Sequence, residues 1–367
     1  MANEYSHDLN AVCPYFTMFP LEFPLRILAS EHDKSRWVLD PFCGRGTTNF
    51  AARLTGLSSI GIDSSPVAAA IAEAKVVVSS VRDLDRCAQS ILKNAPAPVD
   101  IPNGAFWNWA YHETTLLQVC KLREELLRDC RSSVRKVLRA LVLGAMHGPV
   151  RKGSPSYFSN QSPRTFAPKP AYALKFWKQK KLAPPFVDVL GVIQRRAVRF
   201  LSNKLPGARG IILHQDSREP LRVRPERQFS WIITSPPYYG MKTYIPDQWL
   251  RNWFVGGPSA VEYQTRSLDI QHSSPGEFIH QLRQVWGNAA AVSADNARLV
   301  CRFGGIHDRR YDCLEILKAS FRGSGWRLVT ITNAGTALDG RRQAAQFGER
   351  QRKYPRKEYD AYARKED

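Results

Sequence analysis

Long apolar runs are missing from this 367-residue chain: none approaches the roughly 20 residues that a membrane-spanning helix needs. The opening segment, MANEYSHDLNAVCPYF, has no basic stretch followed by an apolar one. No secretory signal is therefore expected, and the cytoplasm is the expected address. Metal-ligand spacing is missing too. Seven cysteines stand at positions 13, 43, 87, 120, 130, 301 and 313, with no CxxC pair and no Cys/His cluster. That excludes a structural zinc site of the usual kinds and fits a reducing compartment. Acidic residues are absent altogether between Asp129 and Asp188.

What fills that gap is positive charge. Arg131, Arg135, Lys136, Arg139, Arg151, Lys152, Arg164, Lys169, Lys175, Lys178, Lys180 and Lys181 all fall there. Across the chain 53 Lys and Arg stand against 33 Asp and Glu, a formal net charge of +20. An excess of this size, concentrated in one segment, favours a polyanion, and nucleic acid is the usual one. Hydrophobic residues at 43% are enough for a real core.

The chain begins and ends with an α/β rhythm. Trp37-Val38-Leu39 reads as a strand ending at Asp40, followed by a glycine-rich turn, DPFCGRGTT, and a helical stretch stopped by Gly56. SSIGID is a second strand ending at Asp63, and Ser64 or Ser65 caps the helix that starts near Pro66. Between residues 83 and 146 apolar positions recur at helical spacing. Seven prolines at 149, 155, 163, 168, 170, 184 and 185 then read as one long loop, with another helix at about 186–203. The rhythm resumes with strands in GIILHQD, FSWIITSPPYYG, ARLVCRFGG, WRLVTITNAG and EYDAYA, and with helices at about 278–292 and in YDCLEILKASFRGSG. The expected fold is α/β: a doubly wound, Rossmann-like sheet carrying a largely helical and loop insertion between its second and third strands. In sequence terms that divides the chain into residues 1–80, 81–207 and 208–367.

Gly44 and Gly46 allow a sharp turn and close ligand approach where a strand meets a helix, and Asp63 at the next strand end suits ribose hydroxyls. These features fit any nucleoside cofactor. The dinucleotide fingerprint GxGxxG is incomplete, because Asn49 stands where its third glycine belongs. The second chemical segment is ITSPPYYG, residues 233–240. Two prolines after a strand leave carbonyl oxygens free to accept hydrogen bonds, Ser235 adds an acceptor, and Tyr238 adds a flat face. A nucleobase carrying an exocyclic amine needs that combination.

Together, DPFCGRGTT and TSPPYYG resemble the cofactor and catalytic motifs of the S-adenosylmethionine-dependent amino-methyltransferases. The Ser-Pro-Pro-Tyr form is most similar to that of N4-cytosine DNA enzymes. The resemblance covers about residues 10–80 and 208–363. It implies a class I methyltransferase sheet, S-adenosylmethionine as cofactor, and double-stranded DNA with a flipped-out base as substrate. Ser235, Pro236, Pro237 and Tyr238 would be catalytic. The cofactor would be held by Phe16, Thr17, Asp40, Pro41, Phe42, Gly44, Gly46, Thr47, Asp63, Ser64, Asp216 and Ser217. No Pro-Cys dipeptide occurs, so the covalent route to C5-methylcytosine is not expected. In the basic segment Arg151, Lys152, Arg164, Lys169, Lys175 and Lys178 are the candidate nucleic-acid contacts, interleaved with Tyr157, Phe158, Phe166, Tyr172, Phe176 and Trp177. Three other readings stay open: methylation of adenine N6 in DNA or of an amino group in RNA, a catalytically silent nucleic-acid-binding protein on the same fold, and a nicotinamide-dependent oxidoreductase, in which the Ser-Pro-Pro-Tyr segment has no role.

Overall fold

The structure is a computed structural model. It describes residues 7–15, 19–149, 155–159, 166–203, 205–207, 209–223, 228–240, 244–263, 268–305, 311–336 and 357–366. The chain folds as two compact units. One comprises residues 18–65, 209–242 and 265–367, and it holds every strand of the sheet among the described residues.

That unit is built on β1 (Trp37–Asp40), β2 (Ser58–Asp63), β3 (Gly210–His214), β4 (Phe229–Thr234), β5 (Ser293–Gly304), β6 (Trp326–Thr336) and β7 (Lys357–Lys365). Their order is β3-β2-β1-β4-β5-β7-β6. The first five are mutually parallel, while β7 runs antiparallel between β5 and β6. This is a Rossmann-like α/β sheet, as the sequence predicts. Winding reverses between β1 and β4, and in an open α/β sheet the crevice at that switch point is where ligands bind. Every residue of β4 is buried, as a central strand covered on both faces requires. Helix Pro275–Ala291 starts with a capping signature: the Ser274 hydroxyl accepts from the Glu277 amide. Its Trp286 stacks on Phe321 at 5.7 Å and donates to the Ser320 hydroxyl at 3.1 Å, fixing helix Cys313–Phe321 beside it.

The second unit comprises residues 1–17, 66–208 and 243–264. Its long helices are Val81–Asn94, Glu113–Arg128, Ser133–Ala145 and Val189–Leu201. Its core is aromatic: Trp107 meets Trp253 at 4.6 Å, and Phe106 meets Trp249 at 4.9 Å and Trp177 at 5.4 Å. The compact units do not follow the three sequence segments. Helix Pro66–Lys75 and the first 17 residues cluster with the insertion, and so do residues 243–264.

One expectation is corrected here. The proline-rich segment read as loop contains a helix, Pro170–Gln179. Pro170 occupies its first turn, where a missing N–H costs nothing, so a proline that signals a break also starts a helix. No helix among the described residues is long and apolar enough to cross a membrane.

Candidate active site

The glycine loop lies at the carboxyl end of β1. Gly44 and Gly46 have φ of +52° and +75°, left-handed values that an L side chain rarely adopts, so the turn into helix Thr47–Leu54 depends on them. A Cβ on Gly44 would meet nothing within 4 Å, so the space in front of the loop is open. Asn49 sits at 0% exposure with its Nδ2 donating to Ser59 on β2 at 3.1 Å. The glycine that lets helix and strand approach is on the strand instead: a Cβ on Gly61 would come within 2.6 Å of Asn49 Oδ1. The incomplete fingerprint is thus completed from β2.

Asp63 ends β2 facing the loop. Its two carboxylate oxygens accept from the Gly44 amide at 2.8 Å and the Ser65 amide at 2.9 Å. Burial pushes its carboxyl up to about 6 against the pull of those hydrogen bonds, with Asp269 adding repulsion. Each oxygen keeps a second lone pair for an outside donor. Ser64 beside it donates to Asp269 at 2.9 Å.

Asp40 has a different position. It is 1% exposed, and its Oδ1 accepts from Thr234 Oγ1 at 2.6 Å and from the Phe42 amide at 3.1 Å. Burial raises its carboxyl to about 7, opposed by the hydrogen bonds from Thr234 and Phe42 and by the nearby Thr48 hydroxyl. Thr48, in the first turn of the helix, also donates to the Ile233 carbonyl at 3.0 Å. Asp40 therefore ties the glycine loop to the end of β4, one residue before Ser235. The Phe42 ring meets Trp286 edge-on at 6.1 Å, and the Ser217 hydroxyl donates to the Pro41 carbonyl. Pro41 and Thr47 are buried. Asp216 is held by Arg218, whose Nε donates to Oδ1 at 3.0 Å and whose Nη2 donates to Oδ2 at 2.6 Å.

After β4 come Ser235, half-buried and without a hydrogen-bond partner for its hydroxyl among the described residues, then buried Pro236 and half-buried Pro237. Tyr238 is 8% exposed; its hydroxyl donates to Glu358 on β7 at 2.7 Å, and its ring meets Phe303 edge-on at 5.5 Å. A Cβ on Gly304 would lie 2.9 Å from that ring, so the glycine at the end of β5 makes room for it. The phenol is thus anchored by its hydroxyl and by one edge. Tyr239 packs among Phe278, Tyr311 and His272 at 5.3, 5.7 and 6.1 Å, a packing role.

Sequence reasoning missed Thr48, Thr234 and Glu358. The two threonines stand inside the motifs already singled out, but nothing in the sequence pairs Glu358 with a tyrosine 120 positions away.

In the helical unit, helix Pro170–Gln179 buries Ala173 and Trp177 and exposes Tyr172, Lys175, Phe176 and Lys178; Lys169, its N-cap, is exposed as well. The rings of Tyr172 and Phe176 stack at 6.4 Å with 11° between planes. Tyr157, Phe158 and Trp177 are at most 3% exposed, so these three aromatics are core and are removed from the candidate nucleic-acid surface. Phe16, Thr17, Arg151, Lys152 and Arg164 lie outside the described residues.

A family model described as DNA methylase, of the N6/N4 type, matches residues 2–74, which hold the glycine loop and Asp63. The type II methyltransferase M.BsoBI of Geobacillus stearothermophilus is 34% identical over 82 residues, 20% of this chain and 16% of that protein. The chain thus spans about a sixth of the length of that curated relative. Among solved structures, the rRNA methyltransferase AviRa of Streptomyces viridochromogenes covers 99% of this chain and 95% of its own, at 12% identity and a TM-score of 0.35. Magnesium protoporphyrin IX methyltransferase of Synechocystis PCC 6803 covers 94% and 78%, at 9% identity and a TM-score of 0.35. Scores at this level carry no weight beside the strand order.

Proposed function

We propose that the chain is an S-adenosylmethionine-dependent methyltransferase acting on the exocyclic amine of a nucleobase, with N4 of cytosine in DNA as its target. The observation that carries this reading is the hydrogen bond from Thr234 to Asp40, which joins the glycine loop to the Ser-Pro-Pro-Tyr turn at the switch point of the sheet. The DNA methylase match over residues 2–74 and the similarity to a type II methyltransferase support it.

The residues present fit the cofactor. The open space before Gly44 admits the amino-acid portion, and Asp63 keeps acceptor lone pairs for the two ribose hydroxyls. When bound, S-adenosylmethionine supplies an electrophilic methyl group on a sulfonium sulfur. The chain's own contribution is orientation and electrostatics. The cytosine N4 lone pair is delocalised into the ring and is a poor nucleophile. Ser235 Oγ and the Pro236 carbonyl accept the two amine hydrogens, which favours the pyramidal amine whose lone pair is localised on nitrogen. A paired base hides this amine, so the target is flipped out at a cost of about a few kcal/mol. Stacking on Tyr238 returns roughly 1–3 kcal/mol. Lys169, Lys175 and Lys178 neutralise backbone phosphates, and the exposed Tyr172–Phe176 pair offers a face to a base.

The test is transfer from methyl-labelled S-adenosylmethionine to genomic DNA and to total RNA, followed by nucleoside mass spectrometry. N4-methylcytosine from DNA is the expected product. N6-methyladenine or a methylated RNA base would overturn the target while keeping the chemistry. Cofactor binding with transfer to neither polymer would overturn the proposed activity.

A further inference from the structure

Arg298 on β5, Arg364 on β7 and Arg327 on β6 stand directly opposite one another: Arg298 pairs with Arg364, and Arg364 pairs with Arg327. All three are exposed, and none forms an ion pair or hydrogen bond among the described residues. The Arg298 guanidinium lies 5.1 Å over the ring of Trp231, its register partner on β4. Like charges placed opposite across strands destabilise a sheet. Further along the same face the fold avoids this: Arg302 is opposite Asp360 and bonded to it at 2.7 and 2.8 Å. The triple row has no such carboxylate.

It has a cavity instead. A space of about 390 Å³ is lined by the three arginines, Asn296, Asp295 and Glu366, with Lys365 beside them. Lys365 Nζ lies 3.4 Å from Asp295, partly neutralising one of the two acids. Trp231 precedes Ser235 by four residues, so at roughly 3.3 Å per residue the row lies about 13 Å down the sheet from the Ser-Pro-Pro turn. It lies toward the opposite edge from the glycine loop and does not take the methyl acceptor. Across two strand spacings the row spans about 10 Å, long enough to reach more than one phosphoryl group.

We propose that the Arg298–Arg364–Arg327 row is a second anion site, separate from the candidate active site, that binds a phosphate-bearing ligand with at least two phosphoryl groups. Guanidinium forks match phosphate oxygens in bidentate geometry, and a bound polyanion turns the repulsion within the row into attraction. The source is either a small polyphosphate or consecutive phosphodiesters of a nucleic-acid backbone.

The probe is inorganic pyrophosphate, titrated into the full chain by calorimetry with thermal unfolding alongside. The wild-type chain binds one pyrophosphate and melts higher with it. Arg364→Gln weakens binding at least tenfold, while its melting temperature without ligand stays level or rises because the row's repulsion is relieved. Arg327→Gln, on the edge strand, repeats the loss independently, and Arg322→Gln, an exposed arginine elsewhere in this unit, leaves binding unchanged. Absent binding, or binding equal in Arg364→Gln, Arg327→Gln and wild type, overturns the proposal. So does a lower ligand-free melting temperature in both row variants, which would make the arginines structural. Competition separates the sources: displacement of pyrophosphate by a duplex oligonucleotide identifies backbone phosphates, and its failure identifies a small polyphosphate.

Discussion

The carboxyl edge of the sheet and the exposed face of helix Pro170–Gln179 handle charge in opposite ways. At the sheet edge four carboxylates are already engaged: Asp40 by Thr234, Asp63 by two amides, Asp216 by Arg218, and Glu358 by Tyr238. On the helix, Lys175 and Lys178 are exposed and hold no ion pair among the described residues. Groups fixed before a ligand arrives suit chemistry, because no reorganisation is needed when charge develops. Exposed lysines on flexible stems suit phosphates met in any sequence, an attraction that salt screens. Under the proposed function the difference divides the labour: the sheet unit would set geometry, and the helical unit would set affinity for the polymer.

The comparison breaks most sharply at the Ser-Pro-Pro-Tyr turn. Pro237→Ala loosens the extended backbone, and Tyr238→Ala removes the face proposed to stack on the base. Each is expected to lower the rate of methyl transfer by about tenfold or more, the scale of a lost base stack worth roughly 1–3 kcal/mol, with cofactor affinity changed less than about threefold. Single-turnover rates set beside calorimetric cofactor binding check this. Full activity in both variants would remove the turn from catalysis.

Next comes Asp63. If Asp63 holds the ribose, as proposed, its hydrogen bonds there are charge-assisted, so Asp63→Ala should weaken S-adenosylmethionine binding by roughly 1.5–3 kcal/mol. The same carboxylate gives a pH signature. With its carboxyl raised to about 6 by burial, the ionised acceptor is present above that pH and is lost as pH falls through it. Wild-type affinity should therefore decline below about pH 6, while Asp63→Asn shows a flatter profile from a weaker start. An unchanged affinity in Asp63→Ala would place the ribose elsewhere.

Much of this architecture was legible in the residues. The strands ending at Asp40 and Asp63 coincide with the observed ones, because an apolar run followed by a glycine or capping signal is a local feature. The sheet's insertion between β2 and β3 was legible for the same reason: helical periodicity replaces alternation there. Helix Pro170–Gln179 was not, since proline density reads as loop unless one proline occupies the first turn. Trp177 and Tyr157 looked like base-reading aromatics because nothing local tells a buried ring from an exposed one beside a lysine. The Tyr238–Glu358 bond depends on the β5–β7 register, a long-range fact that no short window carries.

The smallest expected effect sharpens the helical side of the comparison. Lys175→Ala with Lys178→Ala removes two exposed charges from a helix whose buried contacts are made by Ala173 and Trp177, so folding is little affected. If both lysines meet phosphates of a duplex, the slope of log affinity against log salt should shrink by about 0.9 for each, or nearly 2 in all. The affinity loss itself should be several-fold at moderate salt and should fade at high salt. Methyl transfer at saturating nucleic acid should stay near the wild-type rate, since neither lysine touches the reacting amine in this scheme. Fluorescence anisotropy over a salt series measures the slope. A slope that does not move would take this helix out of the nucleic-acid surface, and the division of labour between the two units would have to rest on other basic residues of the insertion.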